Sequence, residues 1–241
     1  MKKVQNHRKQ YFLLFGFLFA AFGGGFAQEP EKVIDKINAK ITSVKDYTVN
    51  AHIDADIPMI KIMPSNAKIY FKQKDKVKIE SKGITILPKQ GFTELNTFLS
   101  DKSKYSAVFG DSLKINGTDT RLINIIPNAA SGEIVLAKIW VDQKNSVIMR
   151  SQVTTQTNGT VKTDFKYGSQ LRYGLPSELK FEIDVKKFKM PKSVAADINK
   201  TSTDPKKAKE KKRTKGTITI TLSDYKVNGG LSDAIFKDKK K

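Results

Sequence analysis

The sequence predicts an α+β fold that is mainly antiparallel β, a curved sheet with short helices packed inside it. Three observations carry this reading. Two segments, Glu178 to Phe188 and Gly216 to Val227, place apolar residues at every second position: Phe181, Ile183 and Val185, then Ile218, Ile220 and Leu222. Asn116-Gly117 and Asn158-Gly159 are tight-turn signals, because both central positions of a type I′ turn need φ > 0. Apolar residues at helical spacing occur in two short stretches near the start of the chain.

The N-terminus reads as an export signal. Lys2, Lys3, Arg8 and Lys9 precede an almost continuous apolar run from Tyr11 to Phe22. Gly25-Phe26-Ala27 offers small residues where a signal peptidase reads, which predicts cleavage after Ala27. An uncleaved anchor is the alternative, but the run is short and Gly23 to Gly25 end it. The expected organisation is a signal over 1–27 and a single domain over 28–241. The chain has 241 residues, enough for one large domain with a full core. It has no Cys, so a disulfide framework, a thiolate nucleophile and a lipid-modified N-terminal Cys are all excluded.

Glu29-Pro30-Glu31 starts the first helix, with Pro and acidic residues at the positive end of the dipole. Val33, Ile34, Ile37, Ile41 and Val44 give it one apolar face. The period then changes to two. Tyr47, Val49, Ala51, Ile53, Ala55 and Ile57 alternate with polar residues, a half-buried strand. The stretch from Ile57 to Pro64 is an apolar connection that either folds over the core or presents apolar surface to a ligand or membrane.

Ala67 to Lys72 and Lys76 to Ser81 form a hairpin. Phe92, Leu95, Phe98 and Leu99 mark a second short helix. Successive hairpins follow: Tyr105 to Ile115 with Thr118 to Pro127, then Ser146 to Gln156 with Thr160 to Tyr167. Ile134 to Val141 and Leu122 to Ile126 are apolar on both faces, which predicts cover on both sides or a cavity on one. No internal repeat is present.

The formal charge is +20, and loss of the signal's four basic residues leaves +16. Lys189 to Lys215 carries ten basic residues against three acidic ones and almost no aliphatic content. It separates the two C-terminal strands as a long basic loop. No aromatic platform lies beside this charge, so nucleic acid is not the expected partner. An anionic lipid surface would attract such a cluster at about 1 kcal/mol per Lys or Arg near the surface. A solvated loop without a partner is the other reading. The contact candidates are Lys206, Lys207, Lys211, Lys212 and Arg213.

Enzyme chemistry finds little support. The chain has two His, His7 in the signal and His52 on a strand's polar face. There is no Gly-x-Ser-x-Gly elbow and no Gly-rich phosphate loop. His52, Asp54 and Asp56 share one strand face, where a solvated surface is the simpler account than a metal site. The expectation is a protein without catalytic residues, cofactor or metal.

Four stretches carry a family resemblance. They are Met63-Pro64-Ser65-Asn66-Ala67-Lys68-Ile69-Tyr70-Phe71; Val77 to Gly83; Ile139-Trp140-Val141-Asp142 with Val147-Ile148-Met149-Arg150; and Tyr173-Gly174-Leu175-Pro176 with the closing Asn228 to Phe236. In order and pattern the chain resembles the LolA/LolB-like superfamily of periplasmic lipoprotein carriers. The resemblance implies an incomplete, half-open antiparallel β-barrel with helices in its concave face. It also implies a periplasmic carrier that takes acyl chains of lipoproteins or lipids into an apolar cavity and delivers them to the outer membrane, with membrane transport partners. A sensing or protein-interaction module on the same fold is the alternative. Candidate cavity residues are Met59, Ile62, Met63, Phe92, Leu95, Phe98, Trp140 and Met149. The family's gating Arg is replaced by Met63, with Lys68 the next basic position.

Overall fold

A computed structural model describes residues 29–58, 62–73, 76–81, 93–128, 132–157, 159–184 and 214–237. The signal, the basic residues 189–213, Met59 and Phe92 lie outside the described residues. The chain begins with helix α1 (Pro30–Thr42), then strands β1 (Asp46–Asp56), β2 (Ser65–Lys72) and β3 (Lys76–Ser81), and helix α2 (Thr93–Leu99). Seven strands follow: β4 (Tyr105–Ile115), β5 (Thr118–Pro127), β6 (Ile134–Asp142), β7 (Val147–Thr155), β8 (Gly159–Tyr167), β9 (Pro176–Asp184) and β10 (Lys215–Val227).

All ten strands belong to one sheet in the order β3-β2-β1-β10-β9-β8-β7-β6-β5-β4. Every neighbouring pair is antiparallel. The first and last strands, β3 and β4, do not pair, so the sheet is an incomplete barrel. Register shifts at Thr48/Asn50, Phe109/Ser112, Ile134/Leu136, Trp140/Val141 and Lys166/Tyr167 bend the strands and add twist. At the bulge in β4, Gly110 is required: a Cβ there would meet Leu122 Cδ2 at 2.6 Å. The turn at Asn116-Gly117 has φ of 49° and 80°, as a type I′ turn demands.

The alternation read from sequence becomes two distinct faces. One row of the inner face crosses seven strands through paired residues: Ile123, Ile139, Ser151, Thr163, Phe181, Ile218 and Ala55. Val33, Ile34 and Ile37 of α1 and Leu95 and Leu99 of α2 share one buried cluster with this face. Burying a side chain of this size contributes about 1.5–3 kcal/mol.

One expectation needs correction. The strands apolar on both faces are fully buried on one face and only partly covered on the other, where Leu122 and Trp140 are half-buried. Ala137, Ile139 and Val141 are fully buried, whereas Val135 and Ile126 are about half exposed, at 52% and 48%. The reason is that both described helices lie on the inner face. The β9–β10 pair stands near the centre of the sheet, because β1 returns to pair with β10 from Tyr47↔Val227 to Asp56↔Thr217.

The edge at β3 is closed off by charge and by the C-terminus. Lys72 and Lys76 pair with Asp233 at 2.7 and 3.2 Å, and Lys72 also donates to Leu231 O at 2.7 Å. The two ammonium groups hold the Asp233 carboxyl below the usual range. Deeper in, the Asp46 carboxylate, 5% exposed, accepts from the backbone N–H groups of Gly229 and Gly230 at 2.9 and 3.1 Å. Asp46→Ala strands those donors. We expect it to lower stability by about 1–3 kcal/mol in urea unfolding. It should also raise hydrogen exchange over 228–237; an unchanged exchange rate there would refute the anchor.

Candidate functional site

The site is the interface between the inner wall and the two helices that cover it. The wall needs no covalent closure, because the helices supply the opposing apolar surface. Their attachment is polar and sits at the periphery. Asn38 of α1 donates to Leu99 O at 2.8 Å, and the Tyr105 hydroxyl donates to the same carbonyl at 3.1 Å. That carbonyl ends α2 and has no partner within the helix. Burial, with help from Asp35, Glu31 and Asp101, pushes the Tyr105 phenol up to about 12, so it remains a donor.

Lys40 fixes the other end of α1. Its ammonium donates to Asn145 O at 2.5 Å, in the β6–β7 turn, and to Leu171 O at 3.2 Å. That turn is itself stiffened by Asp142, which accepts from the backbone and side-chain amides of Asn145 at 3.0 and 2.6 Å. On the opposite flank Asp35 meets Lys102 at 2.7 Å. The helix is therefore apolar toward the wall and pinned along its borders.

A patch of rings extends the wall beyond the helices. Tyr47 stacks on Phe71 with centroids 5.0 Å apart and meets Tyr225 edge-on at 5.7 Å. The Tyr225 hydroxyl donates to Pro176 O, and the Tyr167 hydroxyl donates to Ile148 O. Burial pushes the Tyr47 phenol up to about 12 and raises those of Tyr167 and Tyr225. All four rings are half-buried.

Among the described residues, a cavity of about 10 Å³, lined by Ile37, Ile41, Asn96, Ser146, Tyr167 and Gly174 among others, lies between the helices and the β6–β7 end. It is the size of a single water. A larger, open depression of about 350 Å³ sits at Glu182 and Thr214 to Thr217, where β10 begins.

The predicted cavity residues separate into groups. Leu95 is buried in the main core, with Phe98 and Ile62 packed against it. The ring of Phe98 lies 5.5 Å from that of Tyr105. Met63 is 71% exposed, and Lys68 is exposed with its ammonium 5.5 Å from the Tyr70 ring. Trp140 and Met149 do not share the main core. They join a second cluster with Ile115 and Val147, flanked by Tyr167 and Leu171. Trp140 pairs with Leu122 and Arg150, one residue out of phase with the inner row, so it stands on the outer face. The apolar character of Trp140 was legible in sequence, but its face was not. Met59, Phe92 and the five basic contact candidates lie outside the described residues.

Of the polar positions, His52 is exposed, and its Nδ1 lies 2.8 Å from Asn66 Oδ1. Among the described residues no group of three or more His, Cys, Asp or Glu is placed to hold a metal. Also among the described residues, no helix is long and apolar enough to cross a membrane.

Solved structures match this arrangement. A domain described as an outer membrane lipoprotein-sorting protein, from Vibrio parahaemolyticus, superposes with a TM-score of 0.57 at 9% identity, covering 86% of this chain and 95% of that one. A LolA superfamily protein from Nitrosomonas europaea gives 0.52 at 12% identity, covering 87% and 98%. The fold is LolA-like. A DUF1329 family protein from Desulfovibrio piger shares it, with a TM-score of 0.53 at 12% identity over 87% and 98%. No family model and no curated protein matches the sequence. At these identities the likeness is one of backbone, and the LolA-like wall of this chain carries its own side chains.

Sequence reasoning missed Lys40, Asn38 and Tyr105 as the fastenings of the helical cover. Each is an ordinary polar residue beside an apolar stripe, and its partner is a backbone carbonyl 61, 105 or 6 residues away. We expect Lys40→Met to lower stability by about 1–3 kcal/mol in urea unfolding. Amide exchange over 30–42 should accelerate while the β6–β9 core remains protected. Equal acceleration everywhere would show that Lys40 holds the whole domain rather than the helix.

Proposed function

We propose that this protein is a non-enzymatic periplasmic carrier. It binds acyl chains of lipids or lipoproteins between the inner wall and the helices, and delivers them toward the outer membrane. The observation that supports this most is the construction of the interior. A ten-stranded sheet stops short of closing, and its largely apolar inner face is covered by short helices held at their borders by hydrogen bonds. An enzyme needs converging titratable groups; a carrier needs only apolar surface that can be uncovered. Each CH₂ taken from water contributes about 0.8 kcal/mol, so a hydrocarbon chain replacing helix contacts leaves the balance nearly even. Near-even exchange suits loading and release.

The cargo enters by displacing α1 and α2, which exposes Leu95, Phe98 and Ile62 together with the wall. The ring patch of Tyr47, Phe71 and Tyr225 continues that surface beyond the helices. Met59 and Phe92 are retained as candidates on the same reading, and Met63 offers a flexible apolar contact at the rim. The LolA-like fold accords with this function, and the similar Vibrio parahaemolyticus domain is described as lipoprotein-sorting.

Delipidated protein should take up fluorescent fatty-acid probes with saturable, roughly one-to-one stoichiometry. Native mass spectrometry of protein purified from its own periplasm should show co-purifying lipid and a start after Ala27. Absence of both uptake and bound lipid would end the carrier reading.

The basic segment is proposed as a contact for anionic membrane, through Lys206, Lys207, Lys211, Lys212 and Arg213. It connects β9 to β10. Deletion of Lys192 to Lys212 should leave the unfolding midpoint nearly unchanged. Binding to vesicles rich in phosphatidylglycerol should drop and lose its salt dependence. Undiminished vesicle binding would leave the segment as a solvated linker.

A further inference from the structure

The inner wall contains a polar defect that neither packing nor folding explains. Ser151 of β7 and Thr163 of β8 are directly paired across the strands, and both are fully buried. They stand mid-strand in an otherwise apolar row, between Ile139 on one side and Phe181 on the other. The neighbouring inner pair Val153–Val161 is apolar, and so is Phe165. Among the described residues neither hydroxyl has a hydrogen-bond partner.

Asn96 Oδ1 of α2 is the one other buried side-chain atom without a partner among the described residues, while several buried polar groups are satisfied. Asp46 accepts from Gly229 and Gly230, Thr120 donates to Leu113 O, and Asp142 accepts from Asn145. An unpaired hydroxyl in an apolar interior is destabilising. Val has the shape of Thr without that cost, and Ala nearly that of Ser. Two adjacent orphans at the centre of the wall are thus expensive in the helix-covered form. An acceptor that enters the interior would relieve that cost.

We propose that Ser151 and Thr163 form a polar anchor that donates to the carbonyl oxygen linking an acyl chain to its ester or amide, when such a ligand occupies the wall. The proposal rests on the carrier reading and adds where the ligand's polar atom sits. Two hydroxyls side by side can both donate to one carbonyl oxygen, which has two lone pairs. Apolar wall flanks the pair along both strands, so hydrocarbon can run from it. Such an anchor distinguishes an acyl compound from plain hydrocarbon, which burial alone cannot do.

The test uses the full mature protein and three pyrene-labelled probes of equal chain length: an alkane, a methyl ester and an N-methyl amide. The variants are Ser151→Ala/Thr163→Val and the hydroxyl-retaining Thr163→Ser. The double variant should lose about five- to tenfold in affinity for a carbonyl probe. It should keep alkane affinity within about twofold, and its melting temperature should hold or rise by about 2–4 °C. Thr163→Ser should retain carbonyl binding. The carbonyl probe that loses more identifies the linkage as ester or amide. Unchanged binding of all three probes by the double variant, or equal loss of all three with a lowered melting temperature, overturns the anchor and leaves the carrier reading standing. Failure of the wild-type protein to take up any probe overturns the carrier reading and the anchor with it.

Discussion

The pairing of β1 with β10 is the constraint on which this molecule depends. It joins residues near the start of the domain to residues near its end, Tyr47 to Val227 at one extreme and Asp56 to Thr217 at the other. Without it the N-terminal hairpin and the strands β4 to β10 would be two separate sheets, each with an exposed apolar edge. With it, one inner face runs without interruption across the wall. The buried Asp46 carboxylate, which grips Gly229 and Gly230, and Asn228, which accepts from Lys45 N–H at 2.7 Å, fasten the same seam from the side. Contacts of such sequence separation are costly to close. The seam therefore carries several kinds of interaction at once.

A wall of this width still needs cover, and it is here that the fold departs from a closed barrel. A closed barrel would satisfy its edges by pairing and fill its lumen with its own side chains. This sheet leaves β3 and β4 unpaired with each other and borrows α1 and α2 instead. The helices bring an apolar stripe, but the bonds that orient them involve side chains and end carbonyls: Asn38 and Tyr105 on Leu99 O, and Lys40 on Asn145 O and Leu171 O. Such bonds are modest individually and can be exchanged for water. The strand ladder cannot be exchanged so cheaply. The wall is thus held by a continuous backbone ladder and the helices by side-chain bonds at their borders.

The outer face shows the complementary economy. It carries charged cross-strand pairs, as with Arg150 and Asp164 or Lys215 and Glu182. The Lys215 ammonium lowers the Glu182 carboxyl, and Glu182 in turn raises Lys215. The exposed Lys215–Glu182 pair adds little stability, but such pairs mark which side of each strand faces water. Where that marking fails, at Val135 and Ile126, the sequence pattern misleads.

Most of the fold was legible before any coordinate. The turn at Asn116-Gly117 and the alternation from Tyr47 to Ile57 are local signals with local causes, sterics at positive φ and the two-residue pleat. They fixed the hairpins and the inner residues of most strands. The candidate site was legible only in part. Leu95, Phe98 and Ile62 do meet at the core, while Trp140 and Met149 belong to another cluster. Sequence by itself determined the element types, the pleat phase where polar residues alternate, and the absence of cysteine chemistry. Tertiary structure alone decided that β9 and β10 lie at the centre of the sheet. It also decided which face of the doubly apolar strands is covered and that Ser151 and Thr163 are buried side by side without partners. The physical reason is range. Propensity and periodicity act over a few residues, whereas strand order, facing and hydrogen-bond satisfaction are set by pairings that the chain makes only once it has folded.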